Sequence, residues 1–203
     1  MSSTKLYLYT RFERFWHWAQ AALIIFLLVT GFEVHGSFSL FGFGTAVTVH
    51  NFCAWTWLVL YAFIVFWIIT TGEWRHYVPT FVKMFEVIQY YMSGIFKGEV
   101  HPVPKSERIK HNPLQRITYL GIVSLLVPFQ IVTGFLYYVY NDWLAFGWAL
   151  NLSTIAILHT AGAFAMLAFS VVHIYMTTTG HHPLSHIKAM FTGYEELETK
   201  EKM

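Results

Sequence analysis

The chain has 203 residues, of which 56% are hydrophobic, 19% aromatic and only 12% charged. Soluble domains carry about 25% charged residues, so the shortfall points to an integral membrane protein, and a formal net charge of +2 gives no support for a nucleic-acid partner. A single cysteine, Cys53, excludes an intrachain disulfide, a cysteine-pair zinc site and a c-type haem attachment motif.

In chain order, the N-terminal stretch MSSTKLYLYTRFERF has no small-residue cleavage site after the first apolar run, so that run is expected to be kept as a membrane span. Four segments reach the roughly 20 apolar residues that a bilayer core requires: 15–34, 48–70, 117–140 and 152–178. The expected fold is all-α, an integral membrane four-helix bundle forming one domain over 1–203. Lys5, Arg11 and Arg14 precede the first span. Arg75, Lys83, Lys97, Lys105, Arg108, Lys110 and Arg116 lie between the second and third, and Lys188, Lys200 and Lys202 follow the fourth. Loops 35–47 and 141–151 hold no lysine or arginine. By the positive-inside rule both termini and the middle loop are cytoplasmic.

Within that middle loop Val78, Phe81, Val82, Phe85, Ile88, Met92, Ile95 and Phe96 recur at helical spacing. The charges between them forbid a span, so an interfacial amphipathic helix between spans 2 and 3 is expected; packing against another subunit would give the same pattern. Trp16, Trp18, Trp74, Tyr140 and Trp143 fit an interfacial aromatic belt.

The fourth span carries His159 and His173, fourteen residues apart. That interval rises about 21 Å and closes nearly four whole turns, so both imidazoles share a face. Ionisable groups within a span are costly to bury and mark function by default. The first span starts inside, placing His17 at its inner end; the second starts outside, placing His50 at its outer end. Topology then pairs His17 with His173 at the inner level and His50 with His159 at the outer level. Two imidazoles per level are too few for a structural zinc site, which takes four ligands, but they match the two axial positions left by an iron porphyrin. Bundles build such sites from facing helices. Two haems b are therefore expected. Gly31, Gly121, Gly134 and Gly162 could admit the macrocycles or simply let helices approach, and the sequence VTGF occurs twice, at 29–32 and 132–135.

The remaining histidines, His35, His76, His101, His111, His181, His182 and His186, are expected to face solvent or headgroups, with a proton path as the sharper reading for the 181–186 cluster. At the start of the third span, Asn112 and Pro113 read as a helix cap and first turn. Gln115 is not explained by that. Asn112 and Gln115 point to one side at the depth of His17 and His173, where an amide pair could bind a quinone carbonyl. Glu33, at the outer end of the first span, reads as an interfacial carboxylate or a dock for a partner.

The stretches RFERFWHW, VHNFCAW, NPLQRITYLGI, LHTAGAF and VHIYM together resemble the di-haem cytochrome b (gamma) subunit of membrane-bound formate dehydrogenase, and the wider group that includes the cytochrome b subunits of nickel–iron hydrogenases and thiosulfate reductases. The likeness runs over nearly the whole chain. It implies that His17 and His173 ligate an inner haem, that His50 and His159 ligate an outer one, and that His173, Asn112 and Gln115 border a quinone site. The resemblance further implies an electron-transfer subunit in a bacterial or archaeal cytoplasmic membrane. A bis-histidine iron has no open position, so substrate chemistry would belong to an iron–sulfur or multihaem cytochrome c partner on the outer side, with menaquinone or ubiquinone as the exchangeable substrate within the lipid. Two other classes remain open from sequence: a haem-free membrane anchor, and a small transporter with histidine proton relays.

Overall fold

The computed structural model describes residues 3–103, 106, 109–179 and 183–198. Lys105, Arg108, His181, His182, Lys200 and Lys202, on which the orientation argument and the histidine cluster drew, lie outside the described residues.

Strand β1 (Ser3–Tyr7) leads into α1 (Arg11–Val34) and α2 (Phe43–Thr71). A 3-10 turn, Glu73–Tyr77, precedes α3 (Met84–Gln89), which runs on through a π turn, Tyr90–Gly94, and a 3-10 turn, Ile95–Lys97. Next come α4 (Pro113–Gly121), a π turn at Ile122–Leu126 and α5 (Val127–Tyr138), which together make one continuous span. Helix α6 (Leu152–Thr177), helix α7 (Ser185–Thr192) and strand β2 (Tyr194–Glu198) complete the chain, and β2 pairs antiparallel with β1. Four helices, Arg11–Val34, Phe43–Thr71, Pro113–Tyr138 and Leu152–Thr177, are long and apolar enough to cross a membrane. Phe52, Phe63, Phe66, Leu125, Ile157 and Val171 stand exposed along them, an arrangement suited to lipid rather than water. The architecture is an all-α membrane helical bundle with a two-stranded sheet joining the chain's two ends.

The first three spanning helices begin four or five residues before the apolar runs that announce them, and polar side chains close the first turns of two of them. Thr10 and Glu13 form a reciprocal capping box: the Thr10 N–H donates to Glu13 Oε2 at 2.7 Å and the Glu13 N–H to Thr10 Oγ1 at 3.3 Å. Asn112 and Gln115 do the same at α4, at 3.0 and 2.9 Å. Each box satisfies backbone donors that the helix cannot pair by itself.

The chain divides into two compact units. The first comprises Trp18–Ile64 and Gly121–Val171. Its core is Trp57, Val127 and Met166, with Leu23, Leu27, Tyr61 and Phe169 against them. The π turn in this unit has a local cause. In the wider register the Val127 N–H pairs with the Ile122 carbonyl. The next residue, Pro128, has no N–H to offer the Val123 carbonyl. Tyr61 replaces it, its hydroxyl donating to the Val123 oxygen at 2.8 Å, so no backbone acceptor is stranded in hydrocarbon.

Glu33 belongs to the same unit and is buried at 4% exposure. Its Oε1 accepts three consecutive backbone N–H groups, from Leu40, Phe41 and Gly42, at 2.8, 2.8 and 2.7 Å. This carboxylate is the anchor of the α1–α2 loop, filling a backbone nest at the approach to α2, a contact that the reading as an interfacial carboxylate or partner dock did not include. Replacing it, Glu33→Ala, should raise amide exchange across residues 36–42 while leaving the histidine sites intact. Unaltered exchange in that loop would show that the nest is held by other contacts. Trp143 also departs from the aromatic belt: it is buried, and its Nε1 donates to the Leu136 carbonyl at 3.0 Å. Trp18, Trp74 and Tyr140 are exposed, as a belt requires.

The second unit comprises Met1–His17, Val65–Leu120 and Val172–Met203. Lys110 is buried in it, its Nζ donating to Glu13 Oε1 and Glu73 Oε2 at 2.9 Å each. Arg14 donates to the Phe191 carbonyl, and His186 meets Glu195 at 2.9 Å. Of the histidines expected to be solvated, His35 is exposed, whereas His111 and His101 are packed. His111 lies between Tyr77 and Tyr119, with ring centres at 5.2 and 5.0 Å, and His101 lies against Tyr90 and Tyr91. Aromatic neighbours at this interval gain from edge-to-face contact. Along 78–96, Phe81, Phe85, Met92 and Phe96 are exposed and Val87 is buried, so the predicted amphipathic segment exists, built from α3 and two short turns rather than one long helix.

Candidate functional site

The histidines singled out by spacing meet in the two predicted pairs. In the first unit, His50 of α2 faces His159 of α6, with ring centres 6.3 Å apart and planes at 83°. In the second, His17 of α1 faces His173 of α6, with ring centres 6.1 Å apart and planes at 48°. Helix α6 thus contributes one imidazole to each pair. Trp16 lies beside the second, its ring centre 6.4 Å from that of His17.

The His50–His159 pair is gripped by two copies of one local device. Thr30 Oγ1 lies 3.0 Å from His50 Nδ1, and Thr133 Oγ1 lies 3.0 Å from His159 Nδ1. The next residue in each case is a glycine. A Cβ on Gly31 would stand 3.2 Å from His50 Cε1, and one on Gly134 would stand 3.0 Å from His159 Cε1. These glycines therefore make room for an imidazole edge. Gly162 is crowded by Phe129 and Gln130, and Gly121 has open space around it.

The amide pair lies in the second unit. Its two side-chain carbonyls are occupied by the capping box described above. Asn112 Nδ2 donates to Tyr91 Oη at 3.0 Å, and His101 Nε2 stands 3.5 Å from the same nitrogen. Burial pushes the Tyr91 hydroxyl up to about 12, against the opposing effect of the Asn112 hydrogen bond, so this phenol keeps its proton throughout the physiological range. Sequence reasoning did not single out Tyr91 and expected His101 to face solvent or headgroups; a Tyr on the amphipathic segment and a His in a loop carry no spacing signal toward Asn112.

The family model for prokaryotic cytochrome b561 matches residues 8–193, a range that contains both histidine pairs. The chain belongs to the prokaryotic cytochrome b561 family. It is 33% identical to YdhU of Escherichia coli (strain K12), a protein named as a cytochrome, over 94% of this chain and 74% of that one. It is 27% identical to a Rhodobacter capsulatus protein named as a Ni/Fe-hydrogenase B-type cytochrome subunit, over 85% of this chain and 73% of the relative. A Cupriavidus necator protein of the same name is 27% identical over 83% and 77% of the two chains. No solved structure gives a significant match. The chain is thus a membrane cytochrome b of the electron-transfer type, a multi-pass protein of the bacterial inner membrane, and membership of the family implies haem b.

The residues present fit that cofactor. Two imidazoles bound on opposite sides of one metal, with metal–nitrogen bonds of about 2.0 Å, hold their ring centres about 6 Å apart, and both pairs have that separation. Among the described residues no cluster of three or more His, Cys, Asp or Glu side chains is placed to hold a metal ion.

Proposed function

We propose that this chain is the membrane-anchoring, di-haem electron-transfer subunit of a respiratory oxidoreductase complex, linking a redox partner on the outer side to the membrane quinone pool. The single observation that supports it best is the pair of imidazole–imidazole separations, 6.1 and 6.3 Å. Bound between each pair, haem b supplies a one-electron centre with no open coordination position. His17 and His173 would hold the inner one and His50 and His159 the outer one, with the termini on the cytoplasmic side. The names of the relatives, hydrogenase cytochrome subunits among them, favour a catalytic partner that carries the substrate chemistry. An iron–sulfur or multihaem cytochrome c subunit has the redox range to serve as that partner.

Quinone binding is assigned to the polar cluster beside α4. Asn112 gives its Nδ2 hydrogen to the Tyr91 oxygen, which leaves the phenol proton to be donated elsewhere, and a quinone carbonyl is an acceptor of the right kind. Gln115, through its carbonyl, holds the Asn112 backbone in place and fixes the geometry of the cluster. His173 belongs to the same unit.

The test is reduction of the oxidised purified protein by a short-chain quinol, followed at the α-band. Rapid reduction is expected, and Asn112→Leu should slow it at least tenfold while both haems stay bound. A wild-type protein that quinol cannot reduce, or an Asn112→Leu variant reduced as fast as wild type, would contradict the quinone assignment.

A further inference from the structure

We infer that Thr30 and Thr133 are positioning residues that set the tautomer and the ring plane of His50 and His159, an inference that rests on the haem reading of that pair. A threonine hydroxyl has one proton to give. At Thr30 it goes to the Phe26 carbonyl at 2.6 Å, and at Thr133 to the Phe129 carbonyl at 2.7 Å. The hydroxyl oxygen facing each Nδ1 at 3.0 Å can therefore only accept, so the imidazole hydrogen sits on Nδ1. A neutral imidazole protonated there carries its lone pair on Nε2, the form that binds a metal.

The same contact orients the ring. Threonine is β-branched and stiff at χ1, and its second bond to the preceding turn fixes the hydroxyl further. The following glycine lies against the same Nδ1–Cε1 edge, with Cε1 3.2 Å from a Cβ placed on Gly31 and 3.0 Å from one placed on Gly134. One edge of each ring thus rests against both a hydroxyl and a bare backbone. The helices that supply the devices, α1 and α5, present them so that the two ring planes stand at 83°. This accounts for the repeat VTGF at 29–32 and 132–135: threonine binds the imidazole and glycine makes space for it.

A partner on the outer ring nitrogen raises the basicity of a metal-bound imidazole, which favours the ferric state. The two threonines accordingly lower the reduction potential of the haem they serve. The Leu27 carbonyl also reaches His50, a second acceptor that would mask the loss of Thr30, so Thr133 gives the cleaner experiment. Thr133→Val and Thr133→Ser are compared by haem content, potentiometric titration and the low-temperature spin-resonance spectrum of the ferric protein. In Thr133→Val both haems should remain, one potential should rise by up to a tenfold change in equilibrium constant, about 59 mV for one electron, and the ferric signal of that haem should change as its ring plane is released. Thr133→Ser should match wild type in all three. Loss of one haem in Thr133→Val with retention in Thr133→Ser also supports the role. Two bound haems with unmoved potentials and signals in Thr133→Val would overturn it, as would loss of haem in both variants. A wild-type protein without haem would defeat the underlying reading instead, before any variant is made.

Discussion

His159→Ala is expected to leave a protein with one haem in place of two, and His50→Ala to lose the same haem. His17→Ala and His173→Ala should each lose the other. The magnitude follows from coordination. An iron porphyrin held by two side chains loses half of its protein ligands with either substitution. The sharp content of the prediction is the pairing. His159 and His173 lie on one helix, α6, yet their substitutions should remove different spectral components, because their ring partners are His50 at 6.3 Å and His17 at 6.1 Å. The check is the reduced-minus-oxidised spectrum of each purified variant at low temperature. Two variants from different pairs that lose the same component would show that the pairs are wrongly assigned.

The second large effect concerns stability. Lys110→Met should destabilise the protein by about 3–5 kcal/mol, the range found when one partner of a buried ion pair is removed and its counter-charge stays behind. Lys110 is 8% exposed and Glu13 5%, so little water reaches the Glu13 carboxylate left without its cation, whereas the Glu73 side chain is 23% exposed. Glu13 also closes the first turn of α1 through its other oxygen, which makes it the joint between a helix cap and the ion pair. Burial by itself would lower the Lys110 pKa, but the hydrogen bonds to Glu13 and Glu73 outweigh it and hold it above the ordinary lysine value. A raised folded-state pKa means that this contribution is complete below the ordinary lysine range and fades only as pH climbs past the raised value. Thermal unfolding in detergent reads the effect, and the triple variant Lys110→Met, Glu13→Gln, Glu73→Gln should recover part of the loss because no bare charge is left buried. A single variant as stable as wild type would mean that the cluster is hydrated in the membrane environment.

What could be read from sequence followed the physics that acts locally or through topology. Span number came from runs of apolar residues. The pairing of His17 with His173 and of His50 with His159 came from helix periodicity combined with alternating span direction. The Asn112 cap before Pro113 was legible, but apolar runs alone place the other starts late, because hydropathy reports where oil begins, whereas Thr10 and the Glu33-held loop decide where the backbone begins to coil. The meaning of VTGF was half visible: the glycines drew attention, but the threonines needed the facing imidazoles to be seen. Lys110 could not have been connected to Glu13, 97 residues away, or to Glu73, 37 away, since no periodicity links a loop lysine to a helix first turn. His111 and His101 were expected to be solvated for the same reason, as tertiary contacts with Tyr77, Tyr119, Tyr90 and Tyr91 leave no trace in local composition.

The central claim, two haems b each held by a histidine pair within one chain, is tested most directly by the ratio of haem to polypeptide in the purified protein, taken from the alkaline pyridine spectrum and quantitative amino-acid analysis. The account predicts two haems b per chain, falling to one on substitution of any of the four histidines. A ratio of one in the fully loaded wild type, or a colourless protein, would contradict it.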